Sequence, residues 1–156
     1  MPPGGEMRKE ATFRLADGVR ESSLGRLALR SGVTAVAVLD AAELVGEYEV
    51  FEALNDQFRF PVYFGWNWDA VYDCLSDLTW IPADRYIVVI ENAEHLDVSA
   101  DHPHGLLVEA LQRAARSLSS HVRREPMEFT VLLSRSTDED LVARRFRAAG
   151  IHLETA

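Results

Sequence analysis

Two aspartates, Asp69 and Asp73, stand four residues apart in the segment running from Phe60 to Pro82, FPVYFGWNWDAVYDCLSDLTWIP. On a helix this spacing places both carboxylates on one face, where like charges destabilise an isolated helix by about a few tenths of a kcal/mol. Three readings open from the pair. One carboxyl as acid and the other as base would make a hydrolytic dyad, a chemistry that needs a cleft and further polar groups the nearby sequence does not supply. Two aspartates that simply solvate a helix is the plain structural reading. The third is a surface shaped for a cationic partner, favoured by Tyr63, Trp66, Trp68 and Tyr72 around the pair.

Other chemistry-bearing residues are less organised. Asp101-His102-Pro103-His104 lacks the i, i+4 histidines or paired cysteines of a metal motif, and reads as a polar loop leading into a helix at Leu106. The single cysteine, Cys74, cannot form an internal disulfide and suits a reducing compartment. No base adjoins it, and Asp73 beside it disfavours the thiolate, so it reads as a buried, inert thiol. No phosphate-cradling glycine pattern is present, and the basic residues are scattered rather than striped, against a nucleic-acid groove. Trp68 reads as core, whereas Tyr63 and Trp66, on a loop around Gly65, read as contact surface.

The charge is uneven. The chain carries 16 basic and 25 acidic residues, net −9, but from Asp40 to Asp101 there are 14 acids against two bases, Arg59 and Arg85, or −12. Such a segment is either a solvated acidic face or a field that steers a basic protein onto the surface, and it repels phosphates. No apolar run reaches the roughly 18–20 residues that span a bilayer, and MPPGGEMRKE lacks the organisation of a secretory signal. A cytoplasmic location with no membrane partner is the expectation.

The elements that must position these groups are legible from periodicity. Val33–Leu39, Tyr86–Ile90 and Phe129–Leu133 are unbroken apolar runs, the pattern of strands buried on both faces. Ala42–Phe58 reads as helix, with Leu44, Val45, Tyr48, Phe51, Leu54 and Phe58 near 3.6 spacing, ended by Phe60-Pro61. Asn67 fits the N-cap of a second helix running to about Leu78. Its apolar stripe is Trp68, Val71, Tyr72, Leu75 and Leu78, with Asp69, Asp73 and Ser76 toward the other face. Leu106–Val122 and a segment opened by Asp138-Glu139-Asp140 and stopped by Gly150 give two further helices. The alternation predicts an α/β fold, a small parallel sheet of about three strands covered by helices. A fourth strand would come from the N-terminal region or Ile151–Leu153, and Leu24, Leu27 and Leu29 are candidates to pack on the domain.

The run Pro61-x-Tyr63-Phe64-Gly65-x-Asn67-x-Asp69-Ala70-Val71-Tyr72-Asp73-Cys74-Leu75 resembles, without a gap, the signature segment of the barstar family, intracellular inhibitors of bacterial guanyl-type ribonucleases. The order of elements from Val33 to Leu133 is similar to that family's fold. The resemblance implies an inhibitor with no chemistry of its own. It implies that Asp73 sits where substrate phosphate would sit and pairs with the enzyme's arginines and histidine. Asp69 and the Tyr63–Asn67 loop would meet the rim and the base-recognition region. Independently, a carboxylate offers arginine a bidentate, charge-assisted partner. Three departures stand out. Ser76-Asp77 stand where the family often has threonine-glycine, and Trp66 replaces a commonly polar residue. No acid matches the further partner-contacting acid that members can carry on the helix before the last strand, where Arg113 and Arg116 lie.

The chain is thus expected to divide into an N-terminal extension (1–30), a barstar-like domain (31–134) and a C-terminal helix and tail packed on it (135–156). The expected partner is a basic bacterial ribonuclease, bound one-to-one by a monomeric inhibitor that occludes the active site. The contact residues would be Tyr63, Phe64, Gly65, Trp66, Asn67, Asp69, Tyr72, Asp73, Ser76 and Asp77, with no catalytic residue, metal or cofactor. An immunity or scaffold protein on the same fold with another basic partner, and the carboxylate-pair hydrolase, remain as alternatives.

Overall fold

Each apolar run becomes a parallel strand, and the sheet they start is wider than the runs alone suggest. The structure, a computed structural model, describes residues 13–16, 31–120, 127–134 and 139–155. Its strands are β1 (Phe13–Ala16), β2 (Thr34–Asp40), β3 (Arg85–Glu91), β4 (Glu128–Ser134) and β5 (Leu153–Thr155), in the spatial order β2-β3-β4-β1-β5. Every neighbouring pair is parallel. The expectation of about three strands is therefore corrected to five: both ends of the chain contribute one, and β1 lies between β4 and β5. At four and three residues, β1 and β5 are too short to show a period, and their pairing comes from β4 and from each other.

Among the described residues four α-helices accompany the sheet: α1 (Glu47–Phe58), α2 (Trp68–Asp77), α3 (Pro103–Leu118) and α4 (Glu139–Ala148). β3 is buried along nearly its whole length, with Val88 and Ile90 in the main core and Ile87 and Val89 in a smaller cluster with Leu132 and Val38. Phe13 of β1 meets Phe146 of α4 edge to face, ring centroids 5.5 Å apart, and both are fully buried. β2 lies at one edge of the sheet, and its Val38 N–H donates to Gln57 Oε1 at 2.8 Å, so a helix side chain occupies a group that would otherwise be open to strand pairing. No described helix is long and apolar enough to cross a membrane.

Three helix boundaries differ from the periodicity. The first helix starts at Glu47, not Ala42, because Ala41–Glu43 forms a separate 3-10 turn capped by Asp40, whose Oδ1 accepts the Ala42 N–H at 3.0 Å. Leu44 is buried beyond that turn and Val45 points outward, so neither lies on the α1 stripe. The third helix starts at Pro103, not Leu106. His102 caps it by accepting the His104 N–H on Nδ1 at 3.1 Å, and proline fits the first helical position, where its missing N–H has no intrahelical partner. Gly105 is required there, since an added Cβ would stand 1.9 Å from Ser99 O. The third helix also ends earlier, at Leu118 and not Val122, with the Ser119 N–H donating to Ala115 O at 3.0 Å. The expected packing of Leu24, Leu27 and Leu29 and the start signal of the last helix at Asp138 lie outside the described residues. Gly150, at φ +75, ends α4 in left-handed geometry, with Ile151 N–H donating to Phe146 O at 2.9 Å.

Candidate partner-binding surface

Asn67 builds the junction between loop and helix. Its Oδ1 accepts the Ala70 N–H at 2.9 Å, capping α2, while its Nδ2–H donates to Gly65 O at 3.1 Å. The loop is closed further by Phe64 N–H donating to Pro61 O at 2.9 Å. One side chain therefore fixes both the start of the helix and the position of the loop before it.

Helical periodicity then sorts α2. Val71, Cys74, Leu75 and the following Leu78 are buried, Trp68 and Tyr72 are half-buried, and Asp69 and Asp73 are exposed. Asp77, one turn beyond Asp73, is half-buried, as is Ser76. Asp69 lies in the first turn, where the helix dipole favours an anion, and Asp77 in the last, where it does not. Burial pushes the Cys74 thiol up, with further upward pressure from Asp73 and Asp77, which keeps it protonated and unreactive. The left-handed residue ending α2 is Leu78, φ +55; Asp77 is still helical and meets no backbone penalty for lacking glycine's freedom.

Phe64 is turned inward. Its ring is 6 % exposed and packs edge-on against Phe60 at 4.8 Å and Phe51 at 6.2 Å, so it anchors the loop instead of lining its outer surface. Trp68 joins the core edge-on to Phe51 at 4.9 Å, and its Nε1–H donates to Glu47 Oε2 at 2.9 Å. Tyr63 is 74 % exposed. Trp66 has a left-handed backbone, φ +53, a conformation that costs a non-glycine residue about 1–2 kcal/mol. Its indole stacks on Tyr48, centroids 5.6 Å apart and planes 15° from parallel. Tyr48 was absent from the sequence-derived surface because its spacing placed it with the core residues of α1; the acids on both sides of it, Glu47 and Glu49, were the available signal. Tyr72 carries a neighbour of opposite character, with the Arg113 guanidinium 4.0 Å above its ring.

Elsewhere the described residues offer little competing chemistry. Clefts of about 650 Å³ and 400 Å³ are lined by residues of the Glu94–Ser99 stretch, α4 and the strands beside it, and neither includes Asp69 or Asp73. A carboxylate dyad would need such enclosure. Among the described residues no three His, Cys, Asp or Glu side chains converge on a metal position. His104 has both ring nitrogens engaged, Nδ1 accepting the Asp97 N–H at 2.9 Å and Nε2–H donating to Leu44 O.

Comparison with known proteins separates fold from family. No curated protein matches the chain. Among solved structures it is similar to the ORC2 protein of Aeropyrum pernix in its ADPNP-ADP complexes, at 12 % identity and a TM-score of 0.54 over 92 % of this chain and 41 % of that one. It is also similar to the ORC1 protein of the same organism in complex with DNA, at 16 % identity and a TM-score of 0.52 over 96 % of this chain and 40 % of that one. The chain spans about two fifths of the length of those proteins, and the likeness is one of fold. Their nucleotide and DNA stay theirs: this sequence has a single lysine, Lys9, and no glycine-rich loop that runs into Gly-Lys. The family model of barstar, the barnase inhibitor, matches residues 34–134, the span from β2 through β4 that contains the whole of α2. The chain belongs to the barstar family.

Proposed function

We propose that this protein inhibits a small basic bacterial ribonuclease by seating α2 and the Pro61–Asn67 loop in its active site. Membership supports the general part, since barstar-family proteins are inhibitors of barnase-type ribonucleases and not enzymes. The observation that carries the finer part is the exposure of Asp69 and Asp73 one turn apart on a helix whose start and preceding loop are fixed by one side chain, Asn67. Asp73 acts as the phosphate mimic for the enzyme's arginines, Asp69 and Tyr63 meet the rim, and Trp66 and Tyr72 border the contact. The −12 segment from Asp40 to Asp101 supplies the field that speeds encounter with a basic partner. Residues 34–134 carry the recognition, while β1 and β5 widen the sheet and α4 packs on β1 through Phe146 and Phe13. The test is titration of barnase activity with the purified protein: inhibition complete at one equivalent supports the reading, and full activity at excess protein contradicts it.

A further inference from the structure

Five of the seven large apolar residues exposed among the described residues, Val45, Tyr48, Val62, Tyr63 and Trp66, come from two segments. The Tyr48–Trp66 stack joins those segments. The patch thus extends the loop before α2 onto the first turn of α1. Tyr48 is 60 % exposed and Trp66 42 %, with Trp66 held in its left-handed conformation. Along α1, Glu52 and Asp56 follow Tyr48 at i+4 and i+8 and are exposed, so they share its face. The helix carries Glu47, Glu49, Glu52 and Asp56 and no basic residue.

Aromatic faces rimmed by carboxylates complement a cation. We propose that Tyr48, backed by Trp66 and with Glu52 one turn along, forms a second recognition subsite that takes an arginine side chain of the basic protein partner. This rests on the docking reading given above and widens the contact from α2 to α1. A guanidinium can lie flat on the Tyr48 ring and direct its N–H fork at the Glu52 carboxylate, whereas an ammonium lacks both the plane and the fork. A nucleic-acid partner could stack on the same rings, but its phosphates would face the acids of α1.

The test follows the indole N–H resonance of Trp66, assigned with Trp66→Phe, during titration with a hexa-arginine peptide at low salt. The expected result is a saturable shift, with apparent affinity reduced about 3- to 5-fold in both Tyr48→Ala and Glu52→Gln. Asp101→Asn, an exposed residue with the same change in charge, should leave it within 2-fold. Hexa-lysine should bind more weakly. A Trp66 resonance that does not move overturns the subsite, as does equal binding by Tyr48→Ala, Glu52→Gln and the unmodified protein. A larger shift with a single-stranded oligonucleotide at the same salt also overturns it. The docking reading fails on a different result, namely barnase inhibition that survives Asp73→Ala unchanged.

Discussion

The guanidinium of Arg113 lies 4.0 Å above the ring of Tyr72, placing a cation from α3 against the residue that precedes Asp73. The contact braces Tyr72 and at the same time opposes the field that draws in a basic partner. Arg113→Gln should therefore lower stability slightly, by about 0.5–1 kcal/mol for an exposed cation–π contact, while association with a basic ribonuclease becomes faster. Stopped-flow association at low salt checks the second half. An unchanged or slower association rate would show that Arg113 does not face the approaching partner.

Asp69, Asp73 and Asp77 recur at i, i+4 and i+8 on α2, and Asp77 sits at the end the helix dipole disfavours. Removing that charge should stabilise the fold. Asp77→Asn is expected to gain about 0.3–1 kcal/mol, raising Tm by about 1–3 °C for a chain of this size. Calorimetric unfolding measures it, and a lowered Tm would mean that Asp77 makes a stabilising contact.

Asn67 has two roles that one substitution can part. Asn67→Ala loses the cap and should cost about 0.5–2 kcal/mol. Asn67→Asp keeps the acceptor for Ala70 N–H but has no Nδ2–H to give Gly65 O. It should fold nearly as stably as the parent and bind less tightly, through a less ordered loop. Urea unfolding and binding measured on both variants separate the two roles; equal binding by Asn67→Asp and the parent would remove the loop tether from the account.

His104 gives the fold a defined acid limit. Burial holds its pKa below the ordinary value of 6.5, a larger effect than the opposing hydrogen bond to Leu44 O, and the charge of nearby His102 adds to the lowering while Asp97 opposes it. The unfolded chain therefore takes up a proton at higher pH than the folded one. Stability should be complete above about pH 6.5 and fall as pH drops below it toward the folded value, by at most about 1.4 kcal/mol per pH unit for one proton. Urea unfolding at pH 5 to 8 on the parent and His104→Gln checks this; the same slope in both would assign the effect elsewhere.

The long, regular parts of this molecule were legible because each carries a local signal. Val33–Leu39, Tyr86–Ile90 and Phe129–Leu133 announce buried strands by composition, and Asn67 announces α2 by its capping geometry. For the two short strands only candidate regions, the N-terminal part and Ile151–Leu153, were legible, since FRLA and LET have no period of their own and become strands only through pairing. Pro103 and Gly105 were read as loop because their helical roles depend on the first-position rule for proline and on Ser99 passing close by. At the surface, the outward face of α2 followed from spacing. The inward turn of Phe64 and the outward turn of Tyr48 did not, because each depends on what packs across from it.

The account turns on Asp73 as the central contact of an occluding helix. Its most direct test is inhibition of barnase by the parent protein, Asp73→Ala and Asp77→Ala, read as apparent Kd under matched ionic strength. Truncating one partner of a buried, hydrogen-bonded charge pair costs about 2–5 kcal/mol, a range set partly by the barnase–barstar complex itself. Asp73→Ala should accordingly weaken inhibition by roughly 30-fold or more, and Asp77→Ala by less than about 10-fold. Equal losses in the two variants, or none in Asp73→Ala, would contradict the docking helix.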